Sequence, residues 1–412
     1  MGHRDFQNHM VCDHCGLVVK IPGLQEGVQV SCPRCHSPIL TFRPDTTDRT
    51  LALALTGLVF FIIANTYPFL AMRIEGFIQE TTMLTGIIGL YNQGMPGLAT
   101  LVLMTALVFP LLQILGLVYI YLPIKFGKMA WKAAWVLRML QHLKPWGMME
   151  VYLLGILVSM IKLAKMATII PGLASVAFLV LIFILAATFS GMNPNDIWQR
   201  LRVPDEGKDN YSGPAKVTGC HSCRLICQVP LTNSHYNCPR CGGPVHYRKA
   251  NSINRTWALV IAAAIFYFPA NIFPVTYTAA LGNVQADTIM SGVIYFLLSG
   301  SWHIALIIFV ASVVIPLMKL IVLVFLLISV RRKSKWQPEE RVRLYRITEA
   351  VGRWSMVDVY VVTILVSLVQ LGPMANITAG QGAIYFSAVV VITMFAAESF
   401  DPRLIWDKME ER

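Results

Sequence analysis

From Trp354 to Ser367 the chain reads WSMVDVYVVTILVS, and from Trp146 to Ser159 it reads WGMMEVYLLGILVS. Eight of the fourteen aligned positions are identical, and Glu150 stands where Asp358 stands. Each stretch opens an apolar run of membrane length with an acid set into its first turns. Two such copies mean a tandem duplication whose membrane helices carry acids.

The duplication extends outward from these stretches. Ala64-Asn65-Thr66-Tyr67-Pro68 answers Ala270-Asn271-Ile272-Phe273-Pro274, and Gln79, Thr82, Gly86 and Gly94 answer Gln285, Thr288, Gly292 and Gly300. Pro110 answers Pro316, and Pro194 with Ile197-Trp198 answers Pro402 with Ile405-Trp406. Apolar segments fall at 51–72, 98–123, 147–168 and 172–192, then again at 256–279, 302–330, 355–372 and 382–399. Each is near the ~20 residues that a bilayer crossing takes. Composition agrees: of 412 residues 56% are hydrophobic and only 14% charged, where soluble domains carry about 25% charged residues. Mean hydropathy is +0.59.

Nine cysteines are present, and eight lie in CxxC pairs outside the apolar segments. Cys12 and Cys15 precede Cys32-Pro33-Arg34-Cys35; Cys220 and Cys223 precede Cys238-Pro239-Arg240-Cys241. Zinc takes four soft thiolates in a tetrahedron, and each CxxC turn supplies two from one tight knuckle. Two structural Zn2+ sites are expected, one in each repeat. A thioredoxin-like redox role lacks the strand–helix context it needs. His14, His36 and His221 read as bystanders and Cys227 as a thiol packed within the second ribbon.

The expected fold is therefore an α-helical polytopic membrane protein of two tandem parallel repeats, each a cytoplasmic zinc ribbon plus four transmembrane helices. The boundaries read as ribbon 1 at 1–45, four-helix unit 1 at 46–200, linker and ribbon 2 at 201–250, and four-helix unit 2 at 251–412. The net charge of +12 reflects lysines and arginines beside apolar segments, a topology signal that gives no reason to expect a nucleic-acid partner. The 124–147 connection carries Lys125, Lys128, Lys132, Arg138 and Lys144, and its counterpart carries Arg331 to Lys335, Arg341, Arg343, Arg346 and Arg353. The 280–301 and 371–382 connections have no Lys or Arg. The positive-inside rule then places both termini and both ribbons in the cytoplasm. Lys162 and Lys165 are exceptions near an outer helix end, where long side chains reach the interface. The chain opens with a polar, cysteine-bearing segment rather than a signal peptide. The Gln79–Gly94 and Gln285–Gly300 stretches read as short helices over the outer face.

Polar residues inside the apolar segments mark where function would sit. Lys319 lies near the middle of 302–330, where a charge costs about 2.5–3.5 kcal/mol. Ser312, Pro316 and Lys319 recur at i, i+4 and i+7 and share a helix face. Their first-half counterparts Ala106 and Gln113 are neutral, and Thr393 answers Leu185. Asp358, with Ser355 one turn away, is the expected partner of Lys319, although the two differ in depth by roughly 10 Å along their helices. Glu150 has no lysine opposite it. No nucleotide-binding GxxxxGK[ST], HExxH or GxSxG motif occurs, so an enzyme is not expected.

A duplicated unit of one CxxC…CPRC ribbon and four helices resembles the paraquat-inducible protein A family. The stretch at Trp354–Val362, its looser copy from Trp146, Pro269-Ala270-Asn271 and the Asp287–Gly292 run carry the resemblance over nearly the whole chain. It looks most like the branch called LetA, the inner-membrane companion of an MCE-domain tunnel protein in Gram-negative bacteria. The resemblance implies trafficking of membrane phospholipids between inner and outer membranes, with the MCE-domain protein as periplasmic conduit and partner. Placed on it, Lys319, Asp358, Ser312, Ser355 and Thr393, with Glu150 as the first-half candidate, form a polar network expected to couple proton movement to helix rearrangement. The competing readings are a non-transporting membrane scaffold and a metal- or redox-responsive regulator of envelope integrity.

Overall fold

The computed structural model describes residues 9–21, 29–41, 46–74, 77–163, 168–192, 194–200, 215–230, 236–280, 283–300, 302–334, 336–369 and 375–407. Lys165, Lys335 and the 201–214 part of the expected linker lie outside them.

The first half opens with two antiparallel hairpins, β1 (His9–Val11) with β2 (Val18–Lys20) and β3 (Gln29–Ser31) with β4 (Pro38–Thr41). Then come α1 (Thr46–Thr66), β5 (Leu70–Ile74), β6 (Phe77–Thr81), α2 (Met83–Asn92) and α3 (Pro96–Val102). A π-helical turn, Leu103–Val108, joins α3 to α4 (Phe109–Lys125). After it follow α5 (Ala133–Leu143), α6 (Met149–Leu163), β7 (Thr168–Pro171), α7 (Leu173–Gly191) and α8 (Pro194–Arg200). The second half repeats the order. Its elements are β8 (Ala215–Gly219), β9 (Ile226–Pro230), β10 (Tyr236–Asn237), β11 (Pro244–Val245), α9 (Ser252–Ile272), β12 (Thr276–Ala280), β13 (Asn283–Asp287), α10 (Ile289–Leu298), α11 (Trp302–Phe309), α12 (Ile315–Arg331), α13 (Pro338–Val351), α14 (Val357–Leu368), β14 (Ala375–Ala379) and α15 (Gln381–Ser399). Among the described residues eight helical spans, four per half, are long and apolar enough to cross a membrane.

Three local rules shape each half. Asn65 and Asn271 donate from Nδ2 to the carbonyls of Phe61 and Tyr267, each at 2.8 Å, just where α1 and α9 end. Their chains then turn into strands rather than continuing as helix. Thr82 with Thr85, and Thr288 with Ser291, form reciprocal capping boxes that start α2 and α10. Pro110 and Pro316 follow π-helical turns at Leu103–Val108 and Val310–Val314. A proline ring in an α-helix clashes with the carbonyl four residues back, and a wider turn relieves that clash.

Two features correct the sequence-based expectation. Gln79 and Gln285 sit in strands, and the short helices begin only at Met83 and Ile289. The strands build two antiparallel three-stranded sheets, β6-β5-β7 and β13-β12-β14. Gly172 and Gly380 start α7 and α15 at points where a Cβ would lie 2.2 Å from the carbonyl oxygens of Pro68 and Pro274, so no side chain fits there. The basic connections are not open loops either: α5 and α13 fill them and bend into α6 and α14 through 3-10 turns.

Helix α14 is the axis of the molecule, buried along nearly its whole length. It packs on α6 of the other half, where a Cβ on Gly155 would lie 2.8 Å from that of Tyr360. Tyr360 also donates its hydroxyl to Thr105 Oγ1 at 2.8 Å. The Ala379 amide donates to Gln93 Oε1 at 3.0 Å, tying α2 to the second sheet. The ribbons cross over between the halves. The cysteines of ribbon 1 share an apolar core with Leu323, Tyr345, Phe400 and Trp406 of the second half. Those of ribbon 2 share one with Leu51, Leu117, Leu137 and Trp198 of the first.

Candidate functional site

The four knuckles of the two ribbons are built alike. In each, the residue after the second cysteine takes a left-handed backbone: Gly16, His36, Arg224 and Gly242 have φ of 78°, 53°, 57° and 66°. Its amide donates back to the first cysteine's carbonyl at 2.7–2.9 Å. This fold-back gathers Cys12, Cys15, Cys32 and Cys35, and likewise Cys220, Cys223, Cys238 and Cys241, into two buried sets whose sulfurs all lie within 4.8 Å. Sulfurs bound tetrahedrally at ~2.3 Å from a metal stand about 3.8 Å apart, so each set fits one ion. His14, His36 and His221 join neither set. His14 packs edge-on to Tyr345 at 6.4 Å, and His221 lies 3.3 Å from the Arg403 guanidinium. Burial holds both imidazoles below their ordinary range, and for His221 the Arg403 charge adds to it. Cys227 is buried beside the second set but outside it.

Within the membrane-length helices the polar residues fall into two groups. Lys319, Ser355 and Thr393 form the first. The Lys319 ammonium donates to the Gly352 carbonyl at 2.8 Å and to the hydroxyls of Ser355 and Thr393, each at 3.3 Å. The 3-10 turn at Gly352–Met356 presents that carbonyl and hydroxyl together. The first half has a neutral version of this strut, in which Gln113 Nε2 donates to the Leu143 carbonyl at 2.7 Å.

Asp358 and Ser312 belong to the second group. They line a cavity of about 70 Å³ that also takes in Lys162, Thr276 and Asp287. The Ser312 hydroxyl and one Asp358 carboxylate oxygen are buried without a well-aligned hydrogen bond. The Lys162 ammonium, from the first half, interacts electrostatically with both Asp287 and Asp358.

The expected Lys319–Asp358 pair is therefore not formed: no ion pair joins them among the described residues, and each faces its own group. The helical offset in depth explains this, since the lysine is satisfied by the turn that precedes Asp358. Glu150 is exposed and joins neither group. Its helix turns Gly155 and Ser159 toward α14, which leaves Glu150 on the outer side. Lys162, near the outer end of α6, lines the same cavity as Asp358 without forming an ion pair with it among the described residues. Sequence reasoning passed over Lys162 and Asp287 as site residues. Comparing halves carried the signal, for their counterparts Gln370 and Thr81 are both neutral.

The family model described as "Paraquat-inducible protein A" matches residues 47–202 and 253–410, one match on each four-helix half. The chain is 31% identical over 415 residues to "Intermembrane transport protein PqiA" of Escherichia coli (strain K12), covering 99% of this chain and 98% of that one. It is 30% identical over 401 residues to "Lipophilic envelope-spanning tunnel protein A" of the same organism, covering 97% and 91%. No solved structure matches the chain.

Proposed function

Because the chain belongs to the paraquat-inducible protein A family, we propose that it is the inner-membrane component of a lipid transport system, passing phospholipid between that membrane and a periplasmic tunnel built by an MCE-domain partner. Similarity along almost the full length to relatives named for intermembrane transport and for an envelope-spanning tunnel carries this reading. In it the ribbons and both termini face the cytoplasm, where Lys and Arg cluster. The two sheets face the periplasm. Each four-cysteine set holds one structural zinc, which fixes a ribbon against the helices above it.

The two polar groups supply the moving part. An ion inside the hydrocarbon is costly, so a proton gained or lost at Asp358 or Lys319 changes which helix packing is favoured. Asp358 and Lys162 come from α14 and α6, on opposite sides of the seam between halves. Charge at that point biases how closely the halves sit. Lys319, Ser355 and Thr393 bind α12, the α13–α14 turn and α15 to one another. The transport cycle couples proton movement through these groups to opening of a lipid path. In a strain that depends on this protein, Lys319→Ala and Asp358→Asn abolish growth under envelope stress while expression and membrane insertion stay intact. Wild-type growth of both variants sinks the coupling.

A further inference from the structure

Where the halves meet at their ribbon end, the α5–α6 and α13–α14 junctions border an open chamber of about 810 Å³. Lys144, Lys319, Arg343, Arg346 and Arg353 line it, against two acids, Glu349 and Glu398. Among the described residues no ion pair engages Lys144, Arg346 or Arg353, and Lys144 lies 6.0 Å from the Phe189 ring. Trp146 forms part of the chamber wall and also the end of a second, apolar groove of about 550 Å³. That groove follows the seam: Leu101, Met104 and Phe109 come from the first half, Val391 and Phe395 from the second. The Trp146 and Phe395 rings are in contact, 5.1 Å between centroids. Both volumes lie in the range of about 300–1,000 Å³ typical of ligand sites.

A concave site with surplus positive charge at one end and an open apolar trough at the other matches one molecule, a lipid with an anionic head. We propose that one anionic phospholipid of the leaflet on the ribbon side docks here, with its head group among Lys144, Arg346 and Arg353 and an acyl chain along the Met104–Phe395 groove. Basic pockets between membrane helices hold anionic head groups by the same charge complementarity. Its place in a cycle rests on the transport reading above: the site would load lipid at the seam, next to Lys319. The head-group chemistry can be measured without transport.

The test uses the full chain in nanodiscs of phosphatidylcholine, with a guest lipid brominated on its acyl chains, either phosphatidylglycerol or phosphatidylcholine. Bromine quenches nearby tryptophan, so the Trp146 signal is the difference between the native chain and Trp146→Phe. Brominated phosphatidylglycerol should quench that component at a guest fraction on the order of tenfold lower than brominated phosphatidylcholine. Lys144→Gln with Arg353→Gln should erase the preference, while Lys144→Arg with Arg353→Lys should keep it. Equal quenching by the two head groups, or a preference that survives the double Gln variant, overturns the site. Quenching abolished by excess inorganic phosphate overturns it too, since a soluble anion would then be the occupant. Selective quenching in a chain that moves no lipid would leave the site standing and sink the transport reading. Unselective quenching in a chain that transports would do the reverse.

Discussion

Lys319 is held by position as much as by charge, and the two can be separated. A Cβ on Gly352 would lie 2.7 Å from Lys319 Cε, so Gly352→Ala pushes the ammonium off the Gly352 carbonyl without removing it. Growth under envelope stress should fall toward the Lys319→Ala level with normal protein abundance; unimpaired growth would mean that the contact is dispensable. Asp401 and Arg403 form a different kind of pair, buried and bidentate at 2.9 Å on both arms. Burial alone would raise the Asp401 carboxyl, but the Arg403 hydrogen bonds and charge, with the Lys249 and Arg403 amides, hold it below the usual carboxylate range. A depressed carboxyl stabilises the fold fully above its unfolded value near pH ~4, and that contribution drains as pH falls through the folded value. Asp401→Asn should cost about 3 kcal/mol at pH 7, and the gap to the native melting temperature should narrow as pH falls below ~4. Equal melting at pH 7 would contradict this. At this scale Lys319, Ser355 and Thr393 were legible because the halves differ there. Their partners were not, since an alignment does not show which way a lysine turns at the end of a helix, as Lys162 demonstrates.

Hydrophobic length alone located the eight long helices, because a bilayer imposes it on every crossing. It missed the sheets, whose third strands, β7 and β14, arrive from the far end of each half to pair with β5 and β12. Periodicity within a short window has no access to such pairing. It also missed α5 and α13, where basic residues masked helices that are not apolar all round. The contact between α6 and α14 is the element on which the two halves turn. Gly155→Ala forces a Cβ to 2.8 Å from the backbone-anchored Cβ of Tyr360, an overpacking expected to cost about 1–3 kcal/mol. Gly292, with nothing within 4 Å of its Cβ position, should accept alanine with unchanged or raised thermal stability. Thermal unfolding in detergent that ranks the two variants the other way would refute the packing.

The crossed ribbons bind the two repeats into one body, each ribbon sharing its core with the helices of the other repeat. Duplication was readable from sequence, but exchange was not, because either pairing of ribbon and helices satisfies the same motifs. Metal analysis of the purified chain should find two zinc ions, and Cys32→Ser should leave one and lower protein levels. Limited proteolysis should then cut first in the second half of Cys32→Ser and in the first half of Cys238→Ser. The opposite pattern would place each ribbon under its own helices.

Whether this chain moves phospholipid with the help of intramembrane charge is decided by reconstitution. Labelled phospholipid in liposomes carrying the full chain would be followed into acceptor vesicles bridged by the MCE-domain partner. Transfer should occur with the native chain and fall to background with Lys319→Ala or Asp358→Asn at equal incorporation. Transfer that proceeds as fast without the chain, or with both variants, would contradict that role.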